Sequence, residues 1–103
     1  VDMLDFLTLF RQSDIRVLDL REPSEAEPFI KAYGERWHNI PQAALRERYR
    51  ELPTDTPLYL MCGTGARSYE SQVFLSSMGY TTIKNIQGGY AVLAMTDPLF
   101  IPD

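Results

Sequence analysis

Near the start of the chain, Leu4, Phe6, Leu7, Leu9 and Phe10 recur at helical spacing behind Asp2, a residue suited to capping. The pattern predicts a first helix that ends near residues 12–14. Ile15-Arg16-Val17-Leu18-Asp19-Leu20 is short, aliphatic and β-branched, and predicts a buried strand. Pro23-Ser24-Glu25-Ala26-Glu27 places proline in a first turn and acids at its positive end, as helix starts do, although Pro28 limits how far that helix should run. Residues 32–39 carry neither period and are expected to form a loop. After Asn39-Ile40-Pro41, Glu and Arg alternate on one face of a predicted helix over residues 42–52, and a proline-bounded turn fills 53–57. Leu58-Tyr59-Leu60-Met61 then predicts a second buried strand. Tyr69, Val73, Phe74, Leu75 and Met78 predict the helix after it, with Gly79 at the left-handed position beyond its end. Residues 81–86 complete the pattern as a last strand, Gly88-Gly89 as a turn, and 90–95 as a short helix.

Strands alternating with helices of this length predict an α/β fold: a mostly parallel sheet with helices on both faces, three layers in all. Ligands of such sheets bind at the carboxyl ends of the strands. Cys62 ends one predicted strand and Asp19 stands near the end of another, so both are expected on that edge.

Composition narrows the function classes. With 103 residues, 45% of them hydrophobic, the chain is expected to form one domain over 1–103 with a single core. A net charge of −4 with scattered Lys and Arg argues against a nucleic-acid surface. No stretch approaches the ~20 apolar residues of a membrane span. Val1-Asp2-Met3-Leu4-Asp5 lacks the basic start and apolar centre of a secretory leader, and a lone cysteine fits a reducing compartment, so a cytoplasmic setting is expected.

That cysteine heads Cys62-Gly63-Thr64-Gly65-Ala66-Arg67-Ser68, between a predicted strand and a predicted helix. A glycine-rich turn opening a helix aims backbone N–H groups at one point, backed by the positive end of the helix dipole. Cysteines so placed, or beside Arg, have pKa values lowered to roughly 3.5–7.5 from about 8.5. A nucleophilic thiolate in an anion cradle is the expected chemistry. Gly63 and Gly65 are expected to supply positive φ and close approach, and Arg67 a permanent cation that braces the loop or holds an anionic donor. Asp19 is a candidate anchor for Arg67, and Asp19 and Arg21 a candidate structural pair.

Val17-Leu18-Asp19-Leu20-Arg21-Glu22-Pro23, Asn39-Ile40-Pro41, the Leu60–Ser68 segment and Ile86-Gln87-Gly88-Gly89-Tyr90 follow one another in the order typical of single-domain rhodaneses, which this chain resembles from about residue 15 to 93. The resemblance implies the rhodanese-like fold and a sulfurtransferase. In that reaction Cys62 takes a sulfane sulfur from thiosulfate, polysulfide or a protein persulfide, holds it as a persulfide, and passes it to cyanide or a thiol. The donor would lie against Gly63, Thr64, Gly65, Ala66, Arg67 and Ser68, with Asp19, Arg21 and Tyr90 in support. Neither metal nor organic cofactor is needed, because the cysteine carries the sulfur.

Cysteine-dependent phosphatases and rhodanese-like arsenate reductases use a longer loop, C-x5-R. Four residues separate Cys62 from Arg67, a ring better sized for one sulfur than for phosphate. The start Cys62-Gly63-Thr64-Gly65 is closer to mercaptopyruvate sulfurtransferases, so the donor stays open. Some features depart from the family: Tyr33-Gly34-Glu35-Arg36-Trp37-His38 replaces the usual G-H-I-P-G-A, Tyr90 stands where a Trp is common, and the strand expected before the first helix is absent or trimmed. Trp37 is expected to be a core or partner contact and His38 a surface or packing residue rather than a base. The rival class is a rhodanese-like module that only binds a partner, or relays sulfur inside a larger protein.

Overall fold

The computed structural model describes residues 1–64 and 66–103. Four strands form one sheet in the order β2-β1-β3-β4: β1 Arg16–Asp19, β2 Trp37–Asn39, β3 Leu58–Met61 and β4 Ile83–Asn85. Every pairing is parallel. From β1 the chain first steps to β2 on one side, then crosses back to β3 and β4 on the other. The direction of winding therefore reverses between β1 and β3, the position at which open α/β sheets leave a crevice outside their carboxyl ends. Asp19 and Met61 are register partners there, so Cys62 and the residues after Asp19 emerge side by side.

Side chains alternate across each strand and build two cores. Val17, Tyr59 and Met61 face α1 (Met3–Gln12), α2 (Pro23–Tyr33) and α5 (Gly89–Thr96), where Phe6, Phe10, Phe29, Trp37, Leu93 and Phe100 pack. Leu18, Leu58 and Leu60 face α3 (Leu45–Arg48) and α4 (Ala66–Ser77), meeting Leu45, Leu75, Tyr80 and Ile83. The result is the three-layer α/β arrangement expected, with the sheet wholly parallel among the described residues. No helix among them is long and apolar enough to cross a membrane.

Local chemistry fixes the element ends. The Asp2 carboxylate accepts from the Asp5 N–H at 2.8 Å, capping α1. At the other end of α1, Arg36 donates to the carbonyls of Phe10, Ser13 and Ile15. Helix α4 ends in a Schellman motif: Gly79 has φ +95°, its N–H reaches the Ser76 carbonyl (3.2 Å), and the Tyr80 N–H reaches that of Leu75 (3.1 Å).

Two expectations need correction. Residues 32–39 are not a loop: α2 runs through Pro28 to Tyr33, a 3₁₀ turn follows over Gly34–Arg36, and Trp37–Asn39 is the edge strand β2. Proline costs α2 one backbone bond, and burial of Ala26 and Phe29 on either side of it offsets that cost. The helix expected over 42–52 is broken into a 3₁₀ turn (Gln42–Ala44), the single turn of α3, and a second 3₁₀ turn (Tyr49–Glu51). β3 has the bounds expected of it, and the remaining boundaries shift by at most three residues.

Gly88 opens α5 with φ +83°, and a Cβ there would lie 2.7 Å from the Val92 Cβ, which no rotation of that side chain can move. Gly88→Ala is expected to lower stability by about 1–3 kcal/mol, read as a reduced melting temperature. Glu51 gives a pH test. Hydrogen bonding to the Arg48 guanidinium, assisted by His38, holds its carboxyl at about 2, below the 4.5 of a free glutamate. A depressed folded-state value means stability present above pH 4.5 and lost as pH falls toward 2. Both side chains are about 40% exposed, so Glu51→Gln should cost only about 0.3–0.5 kcal/mol at pH 7 and nothing below pH 2, measured by urea melts.

Candidate functional site

β3 delivers Cys62 to the crevice with its residue only 3% exposed. Its neighbours are held from behind by α5: the Tyr90 N–H donates to the Cys62 carbonyl (2.8 Å) and the Ala91 N–H to that of Gly63 (3.0 Å). A planar trans peptide points its N–H opposite its carbonyl. The amides of Gly63 and Thr64 are therefore turned away from α5. Helix α4 begins at Ala66 and brings the positive end of its dipole to the same place. Ser68, in its first turn and fully buried, sets its Oγ 3.5 Å from the Cys62 sulfur. The Ser68 hydroxyl in turn donates to Oδ1 of Asn85, the last residue of β4.

The facing wall grows from the end of β1. Asp19 has no solvent exposure. Its Oδ1 accepts from the Arg21 backbone N–H and from Arg21 Nε, each at 3.0 Å. Its Oδ2 accepts from Arg21 Nη2 and Trp37 Nε1, each at 2.9 Å. The bidentate guanidinium also lies over the rings of Tyr90 (4.6 Å) and Phe29 (5.0 Å). Asn39 Nδ2 ties the backbone of this turn by donating to the carbonyls of Asp19 (2.8 Å) and Arg21 (2.9 Å). Gln42 spans the two walls: its N–H meets the Leu20 carbonyl, and its Nε2 the Arg67 carbonyl at 3.1 Å.

Between them lies a cavity of about 550 Å³. Leu20, Arg21, Glu22 and Glu25 line one side, Gln42 and Ala43 the middle, and Cys62, Gly63, Thr64 and Arg67 the other. Its charges are mixed. Arg21 is neutralised by Asp19, Arg67 is an exposed cation, and Glu22 and Glu25 are exposed carboxylates.

Cys62, Gly63, Thr64, Arg67 and Arg21 are thus brought to one cavity, with Ser68 behind the sulfur and Ala66 exposed at the helix start. Gly65 and the conformation expected of it lie outside the described residues. The positive φ expected of Gly63 is absent, and a Cβ on it would meet nothing within 4 Å. Asp19 does not anchor Arg67, because Arg21 and Trp37 occupy its carboxylate. Tyr90 holds the loop with its backbone and backs Arg21 with its ring. Trp37 is a core residue stacked on Phe29 at 4.6 Å, and His38 lies 3.2 Å from Glu51 on an exposed face. Sequence reasoning missed Asn85, Gln42, Glu22 and Glu25. The one available signal was positional: Asn85 ends the strand beside the cysteine strand.

The comparisons with known proteins agree with this geometry. The chain is 39% identical over 75 residues to the uncharacterized protein YqhL of Bacillus subtilis, covering 73% of this chain and 57% of that one. It is 31% identical over 77 residues to a sulfurtransferase of Allochromatium vinosum, covering 74% and 68%. The chain thus spans roughly three-fifths of the curated relatives it matches. The crystal structure of a rhodanese-related protein from Thermoplasma volcanium superposes with a TM-score of 0.78 at 29% identity, over 94% of this chain and 91% of that one. The family model of the rhodanese-like domain matches residues 3–95, and the chain belongs to that family.

Proposed function

We propose that the protein is a sulfurtransferase that carries a sulfane sulfur on Cys62. The observation that carries this reading is the placement of the residue Cys62. It lines a 550 Å³ cavity at the point where the sheet reverses its winding, beside the first turn of α4. The sulfurtransferase-type family and the 31% identical sulfurtransferase of Allochromatium vinosum support it.

The cycle needs no outside oxidant or reductant. The Cys62 thiolate attacks the sulfane sulfur of the donor, and an S–S bond forms at Sγ. The bond from that sulfur to the rest of the donor breaks, and sulfite or a thiolate leaves with the electron pair. A thiolate or cyanide then attacks the outer sulfur, and the Sγ–S bond returns its electrons to Cys62. Both sulfur anions benefit from the positive end of α4 and from the loop amides turned away from α5. Thiosulfate, polysulfide and protein persulfides are the donor classes. Arg67 is the cation positioned to meet their charge, while Glu22 and Glu25 oppose a doubly charged donor.

Incubation with thiosulfate, inorganic polysulfide or an organic persulfide, followed by intact-mass measurement, should add one sulfur atom to the protein. Cys62→Ser should add none. Failure with all three donors would leave the other reading, a rhodanese-like module that binds a partner or relays sulfur within a larger protein. Arg67→Ala should raise KM for an anionic donor roughly tenfold or more, the worth of a charged hydrogen bond, while its stability stays within about 0.5 kcal/mol. Equal losses in melting temperature and turnover would make Arg67 a structural brace instead.

A further inference from the structure

We propose that a second, smaller cavity between α3 and α4 is a binding site for the head group of a free α-amino acid. It has a volume of about 120 Å³ and is lined by Gln42, Leu45, Arg46, Glu70, Ser71 and Phe74. Ordinary small-molecule pockets start at roughly 300 Å³, so this one suits a head group rather than a nucleotide or a ring system. Ser71 carries the inference. The residue is 3% exposed, yet its hydroxyl has no hydrogen-bond partner among the described residues. A buried hydroxyl left unpaired is costly, and this one lines a space from which a partner can come. The rim carries one charge of each sign. Arg46 on α3 and Glu70 on α4 are both exposed, and neither forms an ion pair among the described residues. The Arg46 guanidinium lies 4.8 Å from the centre of the Phe74 ring, which holds it at the pocket. Glu70 opposes a plain anion, and Arg46 opposes a plain cation. An α-amino acid answers both: its carboxylate meets Arg46, its ammonium meets Glu70, and the Ser71 hydroxyl can donate to one or accept from the other.

Gln42 lines this pocket and the Cys62 cavity alike. Along α4, Glu70 and Ser71 follow Arg67 by three and four positions, so they share its face about one 5.4 Å turn further on. The side chain of the bound amino acid is thereby directed toward the larger cavity. On the sulfurtransferase reading, on which this step rests, an amino-acid thiol becomes the favoured small acceptor. Its thiol loses a proton to water, and the thiolate attacks the outer sulfur of the Cys62 persulfide. A new S–S bond forms there, and the electrons of the Sγ–S bond return to Cys62.

Serine, with a hydroxyl where cysteine has its thiol, tests the site without sulfur chemistry. Isotope-labelled protein is titrated by NMR with serine, with ethanolamine, which lacks the carboxylate, and with lactate, which lacks the ammonium. Serine should give saturable shifts at the Glu70, Ser71 and Phe74 amides, and the other two should bind about fivefold more weakly or worse. Arg46→Gln and Glu70→Gln should each raise the Kd for serine about tenfold, the worth of a charged hydrogen bond. Ser71→Ala should raise it about fivefold without lowering the melting temperature, because it removes an unpaired hydroxyl and alanine is the better helix former. A merely structural serine would not separate binding from stability in this way. No saturable shift, or equal binding of the three ligands, would overturn the proposal and leave the pocket to ordered water. With the persulfide loaded, KM for cysteine should lie below that for β-mercaptoethanol, and Ser71→Ala should narrow the ratio. Equal KM values would overturn the acceptor assignment. Failure to form the persulfide would sink the sulfurtransferase reading alone, since the serine titration uses no sulfur donor.

Discussion

A carboxylate with no access to water organises this molecule. Asp19 ends β1 in the centre of the sheet and is wholly buried, a position that is costly for a charge unless each lone pair is engaged. Two oxygens accept four bonds: three from Arg21, one from Trp37. Each partner belongs to a different part of the fold. Arg21 begins the turn into α2, and Trp37 begins β2. Removing one member of such a pair typically costs about 3–5 kcal/mol, because the charge left behind has no solvent. The same network therefore fixes the edge strand, the entry of α2 and one wall of the cavity. Arg21 spends its charge on Asp19 and serves the cavity as a planar, neutralised surface, with Phe29 and Tyr90 behind it.

The opposite wall is held by backbone rather than charge. The first amides of α5 take the carbonyls of Cys62 and Gly63, so the final helix, remote in sequence, decides which way the loop presents its own amides. Gly88 earns its place here: its left-handed backbone starts α5 at the angle that brings Tyr90 and Ala91 under the loop. Gln42 then joins the walls at two carbonyls, Leu20 and Arg67. The cavity has a width because these three ties set one.

The sequence made the strands β1 and β3 legible because both are buried on two faces and read as continuous aliphatic runs. The same logic hid β2. As a three-residue edge strand with only Trp37 buried, it carries no period to detect. The helix expected over 42–52 failed for a related reason: charge alternation describes an exposed face but says nothing about whether the turns are α or 3₁₀. At the site, Cys62 and its loop were legible as a motif, since strand, glycines and helix are contiguous. Asn85, Gln42 and the two glutamates were not, because each arrives from another element and depends on strand order. The supposed Asp19–Arg67 tie shows the limit of that reasoning. Two residues on one sheet edge were correctly placed, but an arginine two positions from Asp19 and an indole on the neighbouring strand reach the carboxylate first.

The shortness of the loop divides the work between its last two residues. Only residues 63–65 separate Cys62 from the start of α4, so Arg67 and Ser68 both fall in the helix's first turn. Adjacent helical positions do not share a face. Ser68 consequently points back beneath the sulfur and is buried, while Arg67 stands exposed at the cavity wall. In the proposed reaction this separates two tasks that need opposite surroundings. The cation that meets an incoming donor stays in contact with water and releases the leaving anion. Ser68, which meets the sulfur, is shielded, where a hydrogen bond acts without competition from solvent.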